Sequence, residues 1–550
     1  MKQILLAFGM SALAIFQTHA AVVDLTGNLS TRTLTNENCY YLKGCVVVPN
    51  GVVLTIDPGV EIRCESGASL TVAQGGQLFS NGTSSLPVVF TSDKAVNMRA
   101  PGDWVGIAIN GYAKNNVLSG GGGTKAIARC SSFTGGGMND NDNSGVLKFT
   151  RIEFAGGEPS GYTFTDALVL NAVGDATDIH DVQISQSAGN GIYLSGGKVD
   201  LKNIYTLDAH KSGLFLEDGY TGQMQTLLEQ RKSLSAHHSS GAYGIRIENN
   251  LSANNNTPLT RPIISNATFM GPVFCGAANP ISTNFKSGIF IDRNGGADIY
   301  NTLVAGYREY GLFINDAASA QRTAASTLNL SYSSFTNNLL GDYAHGVFTW
   351  SSFGCDDDMA KWIGDDPTGT ASCVQVDNQF GVFSPNYNSS FCADYCGDNF
   401  TPNFVLNTPV PLALQNPDYS ALSGFFTSST YRGSIQTSST FSGWIAVCPQ
   451  KEDYCSLALL RSQVELPQLM FAPNPASTFT HVQFEAEQTG KADLTILDKV
   501  TGKILSSNTV NITNKGIQQI PLTLKGLGES VYTVRVVMKD KIIYGQLVVK

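Results

Sequence analysis

The sequence predicts an all-β chain, a parallel β-helix followed by a small antiparallel β-sandwich. Three observations carry this. Residues 54–69, LTIDPGVEIRCESGAS, align with residues 70–85, LTVAQGGQLFSNGTSS, at an offset of 16, so that Leu54 matches Leu70, Ile56 matches Val72, Gly59 matches Gly75 and Ile62 matches Leu78. A second pattern recurs as NGIYLS (190–195), SGLFLE (212–217), YGIRIE (243–248), SGIFID (287–292) and YGLFIN (310–315). From residue 471 cysteine and glycine-flanked rungs disappear, and the strands HVQFEAE, ADLTILD, IQQIPLTL, VYTVRVVM and KIIYGQLVVK alternate apolar with polar.

The composition fits this class. Only 14% of the 550 residues are charged, 42% are hydrophobic and 56 are glycine. That suits a packed, turn-rich β chain and not a disordered one. A net charge of −9 argues against nucleic acid as a partner. Residues 1–20, MKQILLAFGMSALAIFQTHA, have a positive start at Lys2, an apolar run from Ile4 to Phe16 and a small-residue end, as in a secretory signal peptide. No later stretch has the ~20 consecutive apolar residues of a membrane helix. The chain is therefore expected to be exported.

In the body, each short unit holds two strands around a glycine turn and cannot bury its apolar side chains alone. It must stack on its neighbours, as solenoid repeats do. The first two copies of the glycine pattern lie 22 residues apart and the last two 23, one coil each, while gaps of 31 and 44 leave room for insertions. A β-sandwich would show strands without a fixed offset. Period-two alternation puts Ile192 and Leu194 and their equivalents inside, and Tyr193, Phe215, Arg246, Phe290 and Phe313 outside. Gly191, Gly213, Gly244, Gly288 and Gly311 would mark a bend before each strand. Of eleven cysteines, the near pairs Cys39/Cys45, Cys355/Cys373, Cys392/Cys396 and Cys448/Cys455 suggest local disulfides, with Cys64, Cys130 and Cys275 buried and free.

The runs LTIDPGVEI…GASLTVAQGGQLFSNGTSSLPVVFTSD, APGDWVGIAINGYA (100–113), NDNDNSGVLKFTRIEFAGG (139–157) and FFTSSTYRGSIQTSSTFSGWIAV (425–447) resemble secreted right-handed parallel β-helix proteins of the Bacteroidetes type. The last resembles the closing segment of such a body. In the tail, PNPA, ADLTILDKVTGKIL, GESVYTVRV and the terminal YGQLVVK resemble the type A sorting domain of the type IX secretion system. A carbohydrate-binding or adhesive sandwich is the rival reading of that tail. The resemblances imply a signal peptide at 1–20, a body at 21–447 with a loop-rich insertion at 345–400, a linker at 448–470 and a sorting domain at 471–550. They imply passage through the periplasm and outer membrane to the cell surface or medium, with residues 471–550 engaging the type IX machinery.

Candidate chemistry is sparse. Asp140-Asn141-Asp142-Asn143-Ser144-Gly145 copies the first half of an EF-hand loop, but its twelfth position is Arg151 where a glutamate is required. A looser Ca²⁺ site or a turn-capping loop remains. Ser195, Glu217, Glu248, Asp292 and Asn315 follow the five repeated strands, with Asp218 and Asp316 one further on. Stacked coils would make these a column at ~4.8 Å spacing, either a solvated edge or a ladder that binds Ca²⁺ or sugar. Glu217, Asp218, Glu248, Asp292, Asp316, Asp140 and Asp142 are the candidate metal ligands. His210, Lys211, Arg246 and Arg293 lie near the column, and no motif marks them as catalytic. The outward aromatics form either a sugar platform or packing beneath inserted loops. The expected function is a non-enzymatic binding or adhesion scaffold, with a glycan or cell-surface ligand. The alternative is a polysaccharide lyase or glycoside hydrolase, which rests on fold analogy.

Overall fold

The computed structural model describes residues 22–550 apart from 130–131, 158–165, 232–240, 275–280, 349–352, 354–357, 367, 369–373, 386–403, 423, 438–439, 456–468, 487, 500–502 and 539–540. The expected signal peptide, Cys130, Cys275 and the pairs Cys355/Cys373 and Cys392/Cys396 lie outside the described residues.

The body is a parallel β-helix with three ladders. One ladder runs through Ser69–Val72, Gly106–Asn110, Leu168–Asn171, Ile192–Ser195, Leu214–Glu217, Ile245–Glu248, Ile289–Asp292, Tyr310–Ile314 and Gly341–His345, each strand paired in parallel with the next. We call it the site ladder. The other two share longer strands such as Asp178–Ser185, Asp200–Leu207, Gln223–Gln230 and Ile263–Met270. A single residue with φ of 55–61°, namely Asp181, Asn203, Thr226 or Asn266, turns the corner in the middle of each. Asn and Asp tolerate that left-handed conformation better than most residues.

Ile192, Leu194, Leu214, Leu216, Ile245, Ile247, Ile289, Ile291, Leu312 and Ile314 stack in one continuous core, as alternation requires. Each such side chain contributes about 1.5–3 kcal/mol by leaving water. Gly191, Gly213, Gly244 and Gly288 form the bend before their strands as expected, while Gly311 lies within Tyr310–Ile314, and close packing adds a second requirement for glycine. None has a positive φ. A Cβ on Gly213 would lie 2.4 Å from Glu229 Cγ, and one on Gly244 would lie 2.4 Å from the Tyr307 hydroxyl and 2.6 Å from the Gly288 carbonyl. These positions are glycine because neighbouring coils and a buried polar cluster approach too closely for any side chain.

After the last coil, the helix Met359–Ile363 adds Met359, Trp362 and Ile363 to the core; it falls in the expected insertion. Residues 404–455 lie along the outside of the body as a strap: Phe404 packs on Tyr205 in mid-body, Ala413 reaches Ser334 in the last coil, and the chain then returns to the first coils. Phe404, Leu406, Val410, Leu414, Ile435, Phe441 and Trp444 pack on Tyr205, Leu207, Leu228, Met270 and Leu303, the outward side chains of one ladder. Three amides hold its backbone. Asn301 Nδ2 donates to the Asp418 carbonyl and Oδ1 accepts from the Asp418 N–H, both at 2.7 Å. Gln225 does the same to Thr427 at 2.6 and 2.9 Å, and Gln183 to Ala446 at 2.6 and 2.8 Å. Near the strap's end the Tyr454 hydroxyl accepts from Arg151 and donates to buried Glu153, at 2.9 and 2.8 Å. Arg99 lies over the Tyr454 ring.

The strap corrects the expected cysteine pairing. Cys39 and Cys45 do not pair with each other, and neither do Cys448 and Cys455. Cys39 bonds Cys455, 416 residues away, and Cys45 and Cys448 are also disulfide-bonded. The reason is topological: the return path brings 448–455 onto the first coils, where the Cys455 N–H donates to Glu61. Residues 448–455, expected as linker, continue the strap. Cys64 is buried and free, as expected.

Residues 469–550 form an antiparallel sandwich of a three-stranded and a four-stranded sheet with its own core. The Pro473-Asn474-Pro475 entry is tied to the last strand, since Asn474 Oδ1 accepts from Val548 N–H and Nδ2 donates to the Gln546 carbonyl. The sandwich touches the first coils through Arg535–Asp57 at 2.6 Å and a Thr533–Glu37 hydrogen bond at 2.9 Å.

Two outcomes follow for the strap. Gln183→Leu strands both backbone groups of Ala446 and lowers stability by about 1–3 kcal/mol in urea unfolding. Cys455→Ser costs about 2–5 kcal/mol and makes the strap the first site of limited proteolysis.

Candidate functional site

The outer face of the site ladder carries the candidate site. Its outward positions form two columns because side chains two apart share a face. One column is Tyr193, Phe215, Arg246, Phe290 and Phe313, in direct register from strand to strand. Tyr193 stacks on Phe215 with centroids 5.2 Å apart, and Phe290 on Phe313 at 6.0 Å. The Arg246 guanidinium lies between, 5.0 Å from the Phe215 centroid and 5.8 Å from that of Phe290. Tyr243 stacks on Phe290 and Tyr310 on Phe313, widening the stripe. Tyr193 and Phe290 are each only 7% exposed, while Phe215, Arg246 and Phe313 remain partly open. Tyr193 is covered by the hairpin Lys125–Ala128/Ser132–Gly135, whose Ile127 joins Ala108, Val169 and Tyr193 in a small apolar cluster.

The second column is Ser195, Glu217, Glu248, Asp292 and Asn315, stacked as the repeat predicts. Glu217 and Glu248 face cations of the chain. Lys125 reaches in from the hairpin and bonds Glu217 at 2.8 Å, and also Asp218 and the Tyr193 hydroxyl. Tyr193 donates to Glu217 and Ser195 to Asp218. Glu248, wholly buried, takes Arg246 from its own strand and Arg293 at 3.0 Å from the next turn. Asp292 accepts from Asn315 Nδ2 at 2.9 Å.

Burial pushes Glu217 up, but the charge and hydrogen bond of Lys125 outweigh it and hold the carboxyl below its ordinary value. Burial and then the charge of Glu217 hold Asp218 above its own. Burial lifts Glu248 despite its two arginines. The Lys125 ammonium is held above its usual value, because its two carboxylates outweigh burial.

The other expected ligands lie elsewhere. Asp316 caps the helix Ala317–Ala324, accepting from Ser319 N–H at 3.0 Å and Ser319 Oγ at 2.7 Å. Asp140 pairs with Lys114 at 2.8 Å. Asp142 is buried, accepts from Ser144 Oγ and is pushed up by burial. The structure thus joins Glu217 with Asp218, stacks Glu248 and Asp292 beside them, and leaves Asp140, Asp142 and Asp316 outside the column. Among the described residues no group of three or more His, Cys, Asp or Glu side chains is arranged to hold a metal ion. His210 and Lys211 sit in the turn after Asp200–Leu207, away from the carboxylates. Sequence reasoning missed Lys125, which comes from an insertion with no repeat signature. The Arg246–Glu248 pair was readable, since residues two apart on a strand share a face.

Residues 27–349, more than half of the chain, match the sequence profile of the pectate-lyase-like β-helix domain. The chain belongs to this family. No curated protein matches it. Among solved structures, this pectate-lyase-like chain is similar to the enzymatically active domain of bacteriophage CBA120 tailspike protein 2, at 11% identity, over 93% of this chain and 72% of that one, with a TM-score of 0.22. The full-length tailspike protein 2 of the Escherichia coli O157:H7 bacteriophage matches at 11%, over 92% and 64%, with 0.23. The Dettilon tailspike protein matches at 12%, over 60% and 62%, with 0.21. Superpositions this loose add nothing to the account of the site.

Lys125→Met leaves Glu217 and Asp218 without their cation and destabilises the protein by about 2–4 kcal/mol at neutral pH. The pH dependence has a definite sign. The depressed pKa of Glu217 contributes stability at neutral pH that is lost as pH falls through the depressed value. The variant loses the largest lowering influence on Glu217 and keeps only the Tyr193 hydrogen bond and the Arg246 charge against burial, so the gap in melting temperature between wild type and variant narrows as the pH is lowered from 7 toward about 4.

Proposed function

We propose that this protein is an exported glycan-binding scaffold that works through the outer face of the site ladder. The observation that carries the reading is the stacked stripe of Phe215, Arg246, Phe290 and Phe313, in register over adjacent coils and flanked by the carboxylate and amide column. Aromatic rings at a coil's spacing suit the apolar faces of successive sugar rings, and aligned carboxylates and amides suit hydroxyls. The signal-peptide-like start at 1–20 and the tail at 471–550 support export through the periplasm, with the tail engaging the type IX machinery and the body delivered to the cell surface or medium. At the acid column the cation role belongs to Lys125, Arg246 and Arg293. A rise in melting temperature on adding calcium, abolished by Glu217→Gln with Glu248→Gln, would return that role to calcium.

A second reading is glycan cleavage, by a hydrolase or lyase. It is favoured by the opposite displacement of Glu217, held low, and of Asp218 and Glu248, held high. Such a split separates a base from an acid.

The chain from residue 21 onward, tested on a glycan array, binds a polysaccharide, and Phe313→Ala weakens that binding about tenfold with unchanged melting. Binding with no change in Phe313→Ala and Phe215→Ala moves the site elsewhere. Release of reducing ends or unsaturated products that stops in Glu217→Gln establishes the enzymatic reading. Deleting residues 471–550 leaves the body in the periplasm of a host with a type IX system; delivery to the surface without them removes the sorting role.

A further inference from the structure

The charges on the site face set which sugars it can take. The cations Lys125, Arg246 and Arg293 each already face a carboxylate: Lys125 holds Glu217 and Asp218, and both arginines hold Glu248. With Asp292, four carboxylates stand against three cations along the two columns. The nearby Lys286 is taken by Glu309 at 2.6 Å. The surroundings have the same sign. Residues 471–550 carry nine Lys or Arg against six Asp or Glu, which leaves residues 1–470 with 26 against 38.

A polyuronate brings a carboxylate on every ring. To bind here it must draw Arg246 or Arg293 from Glu248, or Lys125 from Glu217, and so leave a buried carboxylate unpaired. Breaking a buried pair costs more than a partly exposed new contact returns. A neutral pyranose meets no such conflict. Its C–H groups can meet Phe313, which is partly open, and the open edge of Phe215, whose faces are taken by Tyr193 and Arg246. Its hydroxyls can meet Asp292 and Asn315, which follow Phe290 and Phe313 by two residues and so lie on the same face. We infer that this site takes an uncharged pyranose polymer and rejects polyuronates, although the family is named for pectate lyase. The inference rests on the glycan-binding reading above.

The test is calorimetric titration of the chain from residue 21 onward with β-glucan, galactan and mannan against polygalacturonate and alginate, at low and high salt. At least one neutral polymer binds about tenfold or more tighter than either polyuronate, and salt changes it little. Tighter polyuronate binding that weakens with salt overturns this inference and leaves the glycan reading standing. Binding of none of the five polymers overturns both. Glu248→Gln frees two arginines and raises polygalacturonate affinity about tenfold. If that variant melts early, Asp218→Asn, which leaves Lys125 with one carboxylate, serves in its place. No gain in the variant that folds contradicts the charge argument.

Discussion

A parallel coil buries its aliphatic side chains inward, but it gives no partner to the outer faces of its ladders or to a chain segment lying on them. Buried backbone groups must find hydrogen bonds somewhere. Here the return strap depends on three outward amides, Asn301, Gln225 and Gln183, each of which grips both backbone groups of one strap residue. These contacts let a segment with little regular structure of its own cover one ladder from the last coil to the first. They also deliver Cys455 to Cys39. The first coils therefore hold both the strap's end, through Cys39 and Glu61, and the docked sandwich, through Glu37 and Asp57.

This arrangement directs attention to the site ladder. The strap is seated over another ladder and, among the described residues, does not cover the aromatic and acid columns. The hairpin at 125–135 covers Tyr193 and supplies Lys125. Glu217 and Glu248 are carboxylates on adjacent coils; burial raises Glu248, and the charge of Glu217 adds to that. The chain answers with its own lysine and arginines. The same pairing that makes the face stable also removes its cations from use by an anionic ligand.

The parts of this architecture that were legible from sequence are those with a period. Ile192 to Ile314 recur at coil spacing, so the interior column, the outward stripe from Tyr193 to Phe313 and the acid column from Glu217 to Asp292 could all be placed before any coordinates. The sandwich was readable for the same reason, from alternation after residue 471. What has no period was not readable. The strap's contacts join Gln183 to Ala446 and Cys39 to Cys455 across hundreds of residues, so pairing neighbouring cysteines misled. Lys125 lies in an insertion, and nothing local ties it to Glu217. The bends at Gly191, Gly213, Gly244 and Gly288 were legible; the close approach of Glu229 and Tyr307, which excludes a side chain at Gly213 and Gly244, was not. The left-handed corner at Asp181, Asn203 and Asn266 carried a usable cue, Asp or Asn midway along an eight-residue strand, which went unread.

Hydrogen exchange at individual amides tests the closed architecture most directly. The N–H groups of Asp418, Thr427 and Ala446 should exchange as slowly as those of the coil strands beneath them, because each is held by a buried amide side chain. Exchange at the rate of an open loop at these three positions, with the coils still protected, would contradict the account: the strap would then not be part of the folded body.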